Sequence, residues 1–178
     1  MGIALQVERQ TGLKFMAVTI ESWQKWLEEH AEKFLFFARQ QCRLPSDAED
    51  LLQEALVESW SRHTGPGLPP LPLVYSTIRR RAIDHARSLD RRQSREQASV
   101  EMAPEWFVEN FDGDDDSRVV QAAMKQLPAD QREVLTLKIW GDLTFREISE
   151  TLGTPPNTVA SRYRYALEAL RNVLEEIK

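Results

Sequence analysis

The sequence of 178 residues predicts an all-α fold, two small helical domains joined by an acidic linker, the second a helix-turn-helix. Three observations carry this. From Thr19 onward apolar residues recur at three-to-four spacing, the period of a helix with one buried face. No segment has the period-two alternation or β-branched enrichment of a strand. Glycine and proline crowd residues 61–72, and Gly141 and Gly153 punctuate the second half. The expected boundaries are 17–91 for the first domain, 92–117 for the linker and 118–178 for the second domain, each domain able to bury a modest core.

Residues 1–16 show no clear period and read as a loose arm, or as sequence upstream of a start at Met16. Helical pattern begins with Ile20, Trp23, Trp26 and Leu27 and continues through Phe34, Leu35, Phe37 and Ala38. Arg43-Leu44-Pro45 is a short turn. Ser46 and Glu49 then have the spacing of a capping box opening the helix DAEDLLQEALVESW, residues 47–60. Ala48, Leu51, Leu52, Ala55, Leu56 and Trp60 share one half of that helix, and Asp47, Asp50, Gln53, Glu54, Val57 and Glu58 the other. Five carboxylates and no cation on one segment cost an isolated helix a little stability. Helix resumes near Leu73, with Tyr75, Ile78, Ala82, Ala86 and Leu89 inward and Arg80, Asp84, Arg87 and Arg91 opposite.

Charge is strongly segregated beneath a net −5. Residues 79–95 hold seven arginines (79, 80, 81, 87, 91, 92, 95) against Asp84 and Asp90, a balance of 7 − 2 = +5. Residues 101–116 hold seven acids and no base. A basic stripe beside acidic segments suggests a polyanionic partner together with a basic one, or self-masking. Within the linker only Trp106, Phe107 and Phe111 are large and apolar, and its DGDDD run, residues 112–116, is a candidate mask for the arginine stripe. Cys42 is the lone cysteine and the three histidines have no metal-ligand spacing, so neither a disulfide framework nor a metal or other cofactor is expected. There is no apolar run long enough for a membrane span and no signal-peptide pattern; a cytoplasmic protein is expected. No Ser/His/Asp order or phosphate-cradling glycine loop points to an enzyme.

In the second half, Leu127-Pro128 opens a helix with Pro128 suited to its first position, and with Val134, Leu135, Leu137, Ile139 and Trp140 apolar. Gly141 ends it. Thr144 and Glu147 form another capping box before a two-turn helix of Phe145, Ile148 and Leu152, closed by Gly153. A long final helix buries Val159, Tyr163, Ala166, Leu170, Val173 and Ile177. Its other faces present Asn157, Thr158, Ser161, Arg162 and Arg164 near the N-terminus. A short helix, a glycine turn and a long helix with small polar and arginine residues in its first turns is the helix-turn-helix design. There arginine can reach guanine and asparagine adenine in the major groove.

The two halves together resemble a known family. LPADQREVLTLKIWGDLTFREISETLGTPPNTVASRYRYALEALR, residues 127–171, is similar to the C-terminal DNA-binding domain of bacterial RNA polymerase sigma factors. DAEDLLQEALVESW, with AIDHAR at 82–87, resembles the first conserved helical domain of that family. Two domains alone match the extracytoplasmic-function type. The resemblance implies a promoter-specificity subunit that binds core RNA polymerase, recognises −10 and −35 elements of promoter DNA, and in many members is held by an anti-sigma factor. It assigns Asp50, Gln53 and Glu54 to the polymerase, Arg79, Arg80, Arg81, Arg87 and Arg91 to the −10 element, and Asn157, Thr158, Ser161, Arg162 and Arg164 to the −35 element.

The resemblance also implies that the loop of about residues 61–73 captures a flipped base. Here Leu73 falls where the family usually has Trp, Ala160 replaces a frequent Lys, and Tyr165 stands where a basic residue is common. The competing expectation is a helix-turn-helix regulator that never joins polymerase, which leaves the acidic helix and the arginine helix without a shared purpose.

Overall fold

The computed structural model describes residues 19–42, 46–96 and 115–176, and among them every regular element is a helix. In chain order these are α1 (Ile20–Gln41), α2 (Asp47–Arg62), α3 (Leu71–Glu96), α4 (Asp115–Gln126), α5 (Ala129–Ile139), α6 (Phe145–Leu152) and α7 (Pro156–Glu176). None is long and apolar enough to cross a membrane. The expected arm over residues 1–16, the turn at Arg43–Pro45, the linker anchors Trp106, Phe107 and Phe111, and most of the DGDDD run lie outside the described residues.

Helices α1, α2 and α3 pack on one another, and α7 gathers α4, α5 and α6. Thr19 caps α1 by accepting from the Ser22 amide at 3.1 Å. Phe34, Phe37, Ala38, Tyr75 and Ile78 are buried as their spacing predicts, whereas Ile20 at the start of α1 is 79% exposed, because among the described residues no helix covers its side. The Ser46–Glu49 capping box does not form. Ser46 itself adopts helical dihedrals, so its hydroxyl turns to donate to Asp47 Oδ1 at 3.3 Å instead of accepting from the amides ahead of it. Asp47, Glu49 and Asp50 still place negative charge against the positive end of α2.

The loop after α2 is shorter than its composition suggests. Helix α3 begins at Leu71 and absorbs Pro72, which is tolerated in a first turn where no intrahelical N–H bond is required. Pro128 likewise sits one position earlier than expected, as the extended N-cap of α5, with the Arg132 amide donating to its carbonyl at 2.9 Å. The Arg132 side chain is buried, and its Nη1 donates to the Met124 and Lys125 carbonyls at 3.4 Å each, closing the end of α4.

The capping box of α6 is complete. The Thr144 hydroxyl accepts from the Glu147 amide, and Glu147 accepts from the Thr144 amide at 2.8 Å. Gly153 ends α6 at φ +62°, where a Cβ is disfavoured. Gly141 is required for another reason, since a Cβ there would lie 2.6 Å from the Leu137 carbonyl oxygen. That close approach lets the chain turn from α5 into α6, with the Leu143 amide returning to the same carbonyl at 3.1 Å.

The two groups of helices do not keep wholly separate cores. One cluster of buried side chains continues from Phe34, Phe37 and Tyr75 to Val134, Leu137 and Ile148. A second lies inside the C-terminal group and contains Met124, Leu127, Leu135 and Ala166. Helix α6 rests on α3 and α5 on α1. The contact also has polar members: Thr136 donates to Gln40 at 3.0 Å in a buried position, and Lys33 Nζ reaches Asp142 Oδ2 at 2.7 Å. Short helices in so small a group leave apolar side chains that their own neighbours cannot cover, so the N-terminal helices cover them.

Thr144→Ala is expected to lower the unfolding free energy by about 1 kcal/mol through loss of the cap. Gly153→Ala should cost about 1–2 kcal/mol from the left-handed dihedral alone, and Gly141→Ala more than Gly153→Ala, because backbone must move. Urea denaturation of the three variants gives this order directly.

Candidate functional site

The outer face of α2 carries Asp50, Gln53, Glu54 and Val57, all exposed, while Ala48, Leu51, Leu52 and Ala55 anchor the helix below. Val57 is 69% exposed, an apolar spot beside three polar groups. One side of this face leans toward α3. There the carboxylate of Glu54, itself 62% exposed, lies 3.2 Å from Arg81 Nη1. One turn further on, Glu58 accepts from Arg81 Nε at 2.6 Å and from Arg80 Nη2, with Arg62 Nη1 at 3.6 Å. Its side chain is only 20% exposed. Burial on its own would raise the Glu58 carboxyl, but hydrogen bonds and charge from Arg81 and Arg80 outweigh it and hold the group below its ordinary range.

Arg79, on the other side of α3, crosses to the C-terminal helices. Its Nε donates to Glu133 Oε1 at 2.8 Å, and the Glu133 side chain is 13% exposed. Here the balance reverses: burial pushes the Glu133 carboxyl above its ordinary range, and Arg79, with a smaller contribution from Arg162, only partly offsets that. Further along α3, Arg87 and Arg91 are exposed, with Arg87 4.0 Å from Asp84 one turn back. The side chains of Arg92 and Arg95 lie outside the described residues, and the other five arginines expected on one basic stripe fall into two sets. Arg79, Arg80 and Arg81 are engaged by carboxylates of α2 and α5, and Arg87 and Arg91 project into solvent. The sequence did not single out Glu58 and Glu133 as partners, because they lie 22 or 23 and 54 residues away from their arginines.

The first turns of α7 present Asn157 to solvent, with Thr158 and Ser161 half-exposed and the Ser161 hydroxyl donating to the Thr158 carbonyl at 2.9 Å. Val159 and Ala166 are fully buried, which fixes the rotation of the helix. Tyr163 and Phe145 meet edge to face at 5.4 Å between α7 and α6. Arg164 is exposed, and its guanidinium lies 5.0 Å from the ring centre of Tyr165, which orients it without hiding it. Arg162 is different, since its Nε reaches Asp130 Oδ2 at 2.9 Å and it lies against α5. Four of the five residues expected on the reading face are brought together, and Arg162 is turned aside.

Between α2 and α3 the loop is confined to residues 63–70, with Gly67 at φ +83° and His63 Nε2 3.4 Å from the Pro66 carbonyl. The aromatic side chains nearest to it in sequence, Trp60 and Tyr75, are taken up by other rings. Trp60 meets Trp23 at 5.1 Å, Trp23 stacks on Trp26 at 5.2 Å, and Phe34 meets Tyr75 at 5.0 Å. Leu73 is half-buried and presents no flat ring. Among the described residues no group of three or more His, Cys, Asp or Glu could hold a metal ion. Burial, followed by the nearby Asp47, pushes the Cys42 thiol up to about 11, so it stays protonated at neutral pH.

Residues 26–92 match the family model of Sigma-70 region 2, and residues 117–170 match that of Sigma-70, region 4. An ECF RNA polymerase sigma factor SigK of Mycobacterium ulcerans is 31% identical over 135 residues, covering 72% of this chain and 72% of the relative. An RNA polymerase sigma-E factor of Streptomyces antibioticus is 33% identical over 132 residues, 74% of this chain and 72% of the relative. Among solved structures, the sigma factor RpoE of Bartonella quintana, crystallised with the anti-sigma factor NepR, shares the fold. It superposes with a TM-score of 0.67 at 22% identity, over 88% of this chain and 98% of that one.

The Glu58 network titrates in a stated direction. A carboxyl held below its ordinary range in the folded state stabilises above that range and loses the contribution as pH falls through its folded value. Glu58→Gln is expected to cost roughly 1 kcal/mol near neutral pH. The difference from wild type should shrink as the pH is lowered from about 6 to about 3, as measured by urea denaturation across that series.

Proposed function

This chain belongs to the extracytoplasmic-function sigma factors of RNA polymerase, and on that premise we propose how its surfaces divide the work of promoter recognition. The exposed face of Asp50, Gln53 and Glu54 on α2 docks on core polymerase. Arg79, Arg80, Arg81, Arg87 and Arg91 on α3 meet the −10 element, and Asn157, Thr158, Ser161 and Arg164 of α7 meet the −35 element, joined by Arg162 once it leaves Asp130. The observation that carries this is the order of the two family matches along the chain, region 2 on α1–α3 and region 4 on α4–α7, each bearing an exposed polar face of the required chemistry. The regulator alternative accounts for α7 alone and leaves the α2 face without a partner.

Catalysis of RNA synthesis stays with the polymerase. This subunit contributes binding energy: phosphate contacts by arginine set its position on the duplex, and base-edge contacts from α7 select the sequence. It works in the cytoplasm. By likeness to the Bartonella quintana RpoE, which was crystallised with the anti-sigma factor NepR, an anti-sigma protein is a further proposed partner. Base capture by the loop at 63–70 is retained as part of the proposal, with Leu73 giving apolar contact in place of ring stacking.

The packing of α6 on α3 bears on how the two DNA-reading surfaces are used. Elements centred at −10 and −35 are about 25 base pairs apart, or about 85 Å at about 3.4 Å per step. Helices in contact cannot serve both at once, so this packing belongs to the protein off the promoter, and the two groups separate on assembly. Fluorescent labels at positions 33 and 142, where the side chains now pair at 2.7 Å, are expected to lose energy transfer when core polymerase and promoter DNA are added. Unchanged transfer in an active complex would contradict the separation.

Two substitutions test the assignments. Glu54→Arg is expected to abolish co-elution with core polymerase and promoter-dependent run-off transcripts while circular dichroism stays helical; retained binding returns α2 to an ordinary solvated face. Arg164→Ala is expected to weaken binding to the cognate −35 sequence by about 1–3 kcal/mol with little change on unrelated DNA. Equal loss on every sequence would make Arg164 a phosphate contact.

A further inference from the structure

Glu58 has an unusual position for an acidic residue on a helix that also bears an exposed acidic face. It lies one turn beyond Glu54, is mostly buried, and receives Arg80 and Arg81 from α3 and Arg62 from its own helix. Glu54 completes the group through Arg81 Nη1 at 3.2 Å, yet the rest of its carboxylate faces solvent on the α2 face. Three guanidinium groups, Arg62, Arg80 and Arg81, meet two carboxylates, Glu54 and Glu58, a balance of 3 − 2 = +1. So long as both carboxylates are in place, Arg80 and Arg81 are turned toward α2 and most of their charge is compensated.

We propose that Glu58 seats a mask over Arg80 and Arg81, and that Glu54 makes this mask responsive to the polymerase. A cationic group of the polymerase that engages Glu54 draws it from Arg81. The local balance then rises from +1 to +2, and Arg81, followed by Arg80, can exchange carboxylate for DNA phosphate. Because coupling is reciprocal, DNA phosphate that takes up Arg81 leaves Glu54 freer for the polymerase, so each partner strengthens the other. Charge-assisted pairing to a phosphate is of the same kind as pairing to a carboxylate, so the exchange runs between similar bonds and a modest change in Glu54 can tip it. The proposal rests on the assignment of Arg80 and Arg81 to DNA and of Glu54 to polymerase. It adds Glu58 as the residue that positions those arginines and keeps them from DNA until assembly.

The test uses the full chain without polymerase and a fluorescein-labelled single-stranded DNA of mixed sequence, titrated at several salt concentrations. Glu58→Gln keeps the shape and removes the charge. It is expected to bind the probe about tenfold more tightly than wild type, with a salt slope steeper by about 1.4, the value for two newly engaged phosphates on a single strand. In complex with core polymerase the same substitution is expected to make little difference, because the mask is already open there; a merely structural role for Glu58 predicts neither the gain nor its disappearance. Glu54→Gln, at an exposed position that leaves the Glu58 seat in place, is expected to give a smaller gain by freeing Arg81 alone. If both variants are folded and bind the probe with wild-type affinity and slope, the mask is refuted. Arg80→Ala/Arg81→Ala in the polymerase complex separates the two levels. If that variant weakens promoter binding while the glutamine variants do nothing, the −10 assignment stands and the mask falls. If it leaves promoter binding intact, the −10 assignment itself is wrong and the mask falls with it.

Discussion

The continuous apolar seam between α1, α3, α5 and α6 is the constraint on which the remaining geometry depends. Phe34, Ile78, Val134, Leu137 and Ile148 are fully buried within it, members contributed by both groups of helices. Burial of this kind gives about 25 cal/mol per Å² of apolar surface and has no preferred direction. It is the shape of the meeting helices that makes it specific. Gly141 allows the tight exit from α5, and the Thr144–Glu147 box starts α6 at the place where Ile148 faces inward. With α6 seated on α3, Glu133 of α5 comes within reach of Arg79, and Asp142 within reach of Lys33. The polar contacts follow the packing rather than drive it, which is the usual order for half-exposed ion pairs.

Electrostatics then sorts the surface. A chain of net charge −5 that acts on DNA must prevent its own acids from repelling phosphate. It does so by spending carboxylates on arginines: Glu54 and Glu58 on Arg80 and Arg81, Glu133 on Arg79, Asp130 on Arg162. The pairs are not equivalent. Glu58 gathers several guanidinium groups and is held ionised, whereas Glu133 has one close partner in a more buried place and its ionised form is disfavoured. The contact between the two groups of helices thus contains a carboxylate whose charge is only partly compensated. The network within α1–α3 is better compensated and lies wholly on one side of that division.

Much of this was legible in the order of residues. Periodicity located the helices, Thr144 with Glu147 and Gly153 located the boundaries of α6, and Val159 and Ala166 located the inward face of α7, because each of these signals acts within a turn or two of chain. Ser46 with Glu49 had the same spacing as Thr144 with Glu147 and formed no box. The N-cap dihedrals decide that, and at Ser46 the chain enters α2 already helical. Pro72 read as loop and is helix, since a first turn does not need its amide. Ile20 read as core and is exposed, because periodicity reports a face and not whether a neighbour covers it.

By itself the sequence determined an all-α chain, the acidic face of α2, the arginines of α3 and the helix-turn-helix with its polar first turns. Each rests on residues near one another in the chain, where helical geometry dictates which side chains share a face. Only the tertiary structure decided which of those charges are available. Arg87, Arg91 and Arg164 stand in solvent, whereas Arg79, Arg80, Arg81 and Arg162 are held by carboxylates 22 to 54 residues away. Pairing at that range depends on how helices pack, and packing is settled by the shape of the buried seam, which no local pattern of residues encodes.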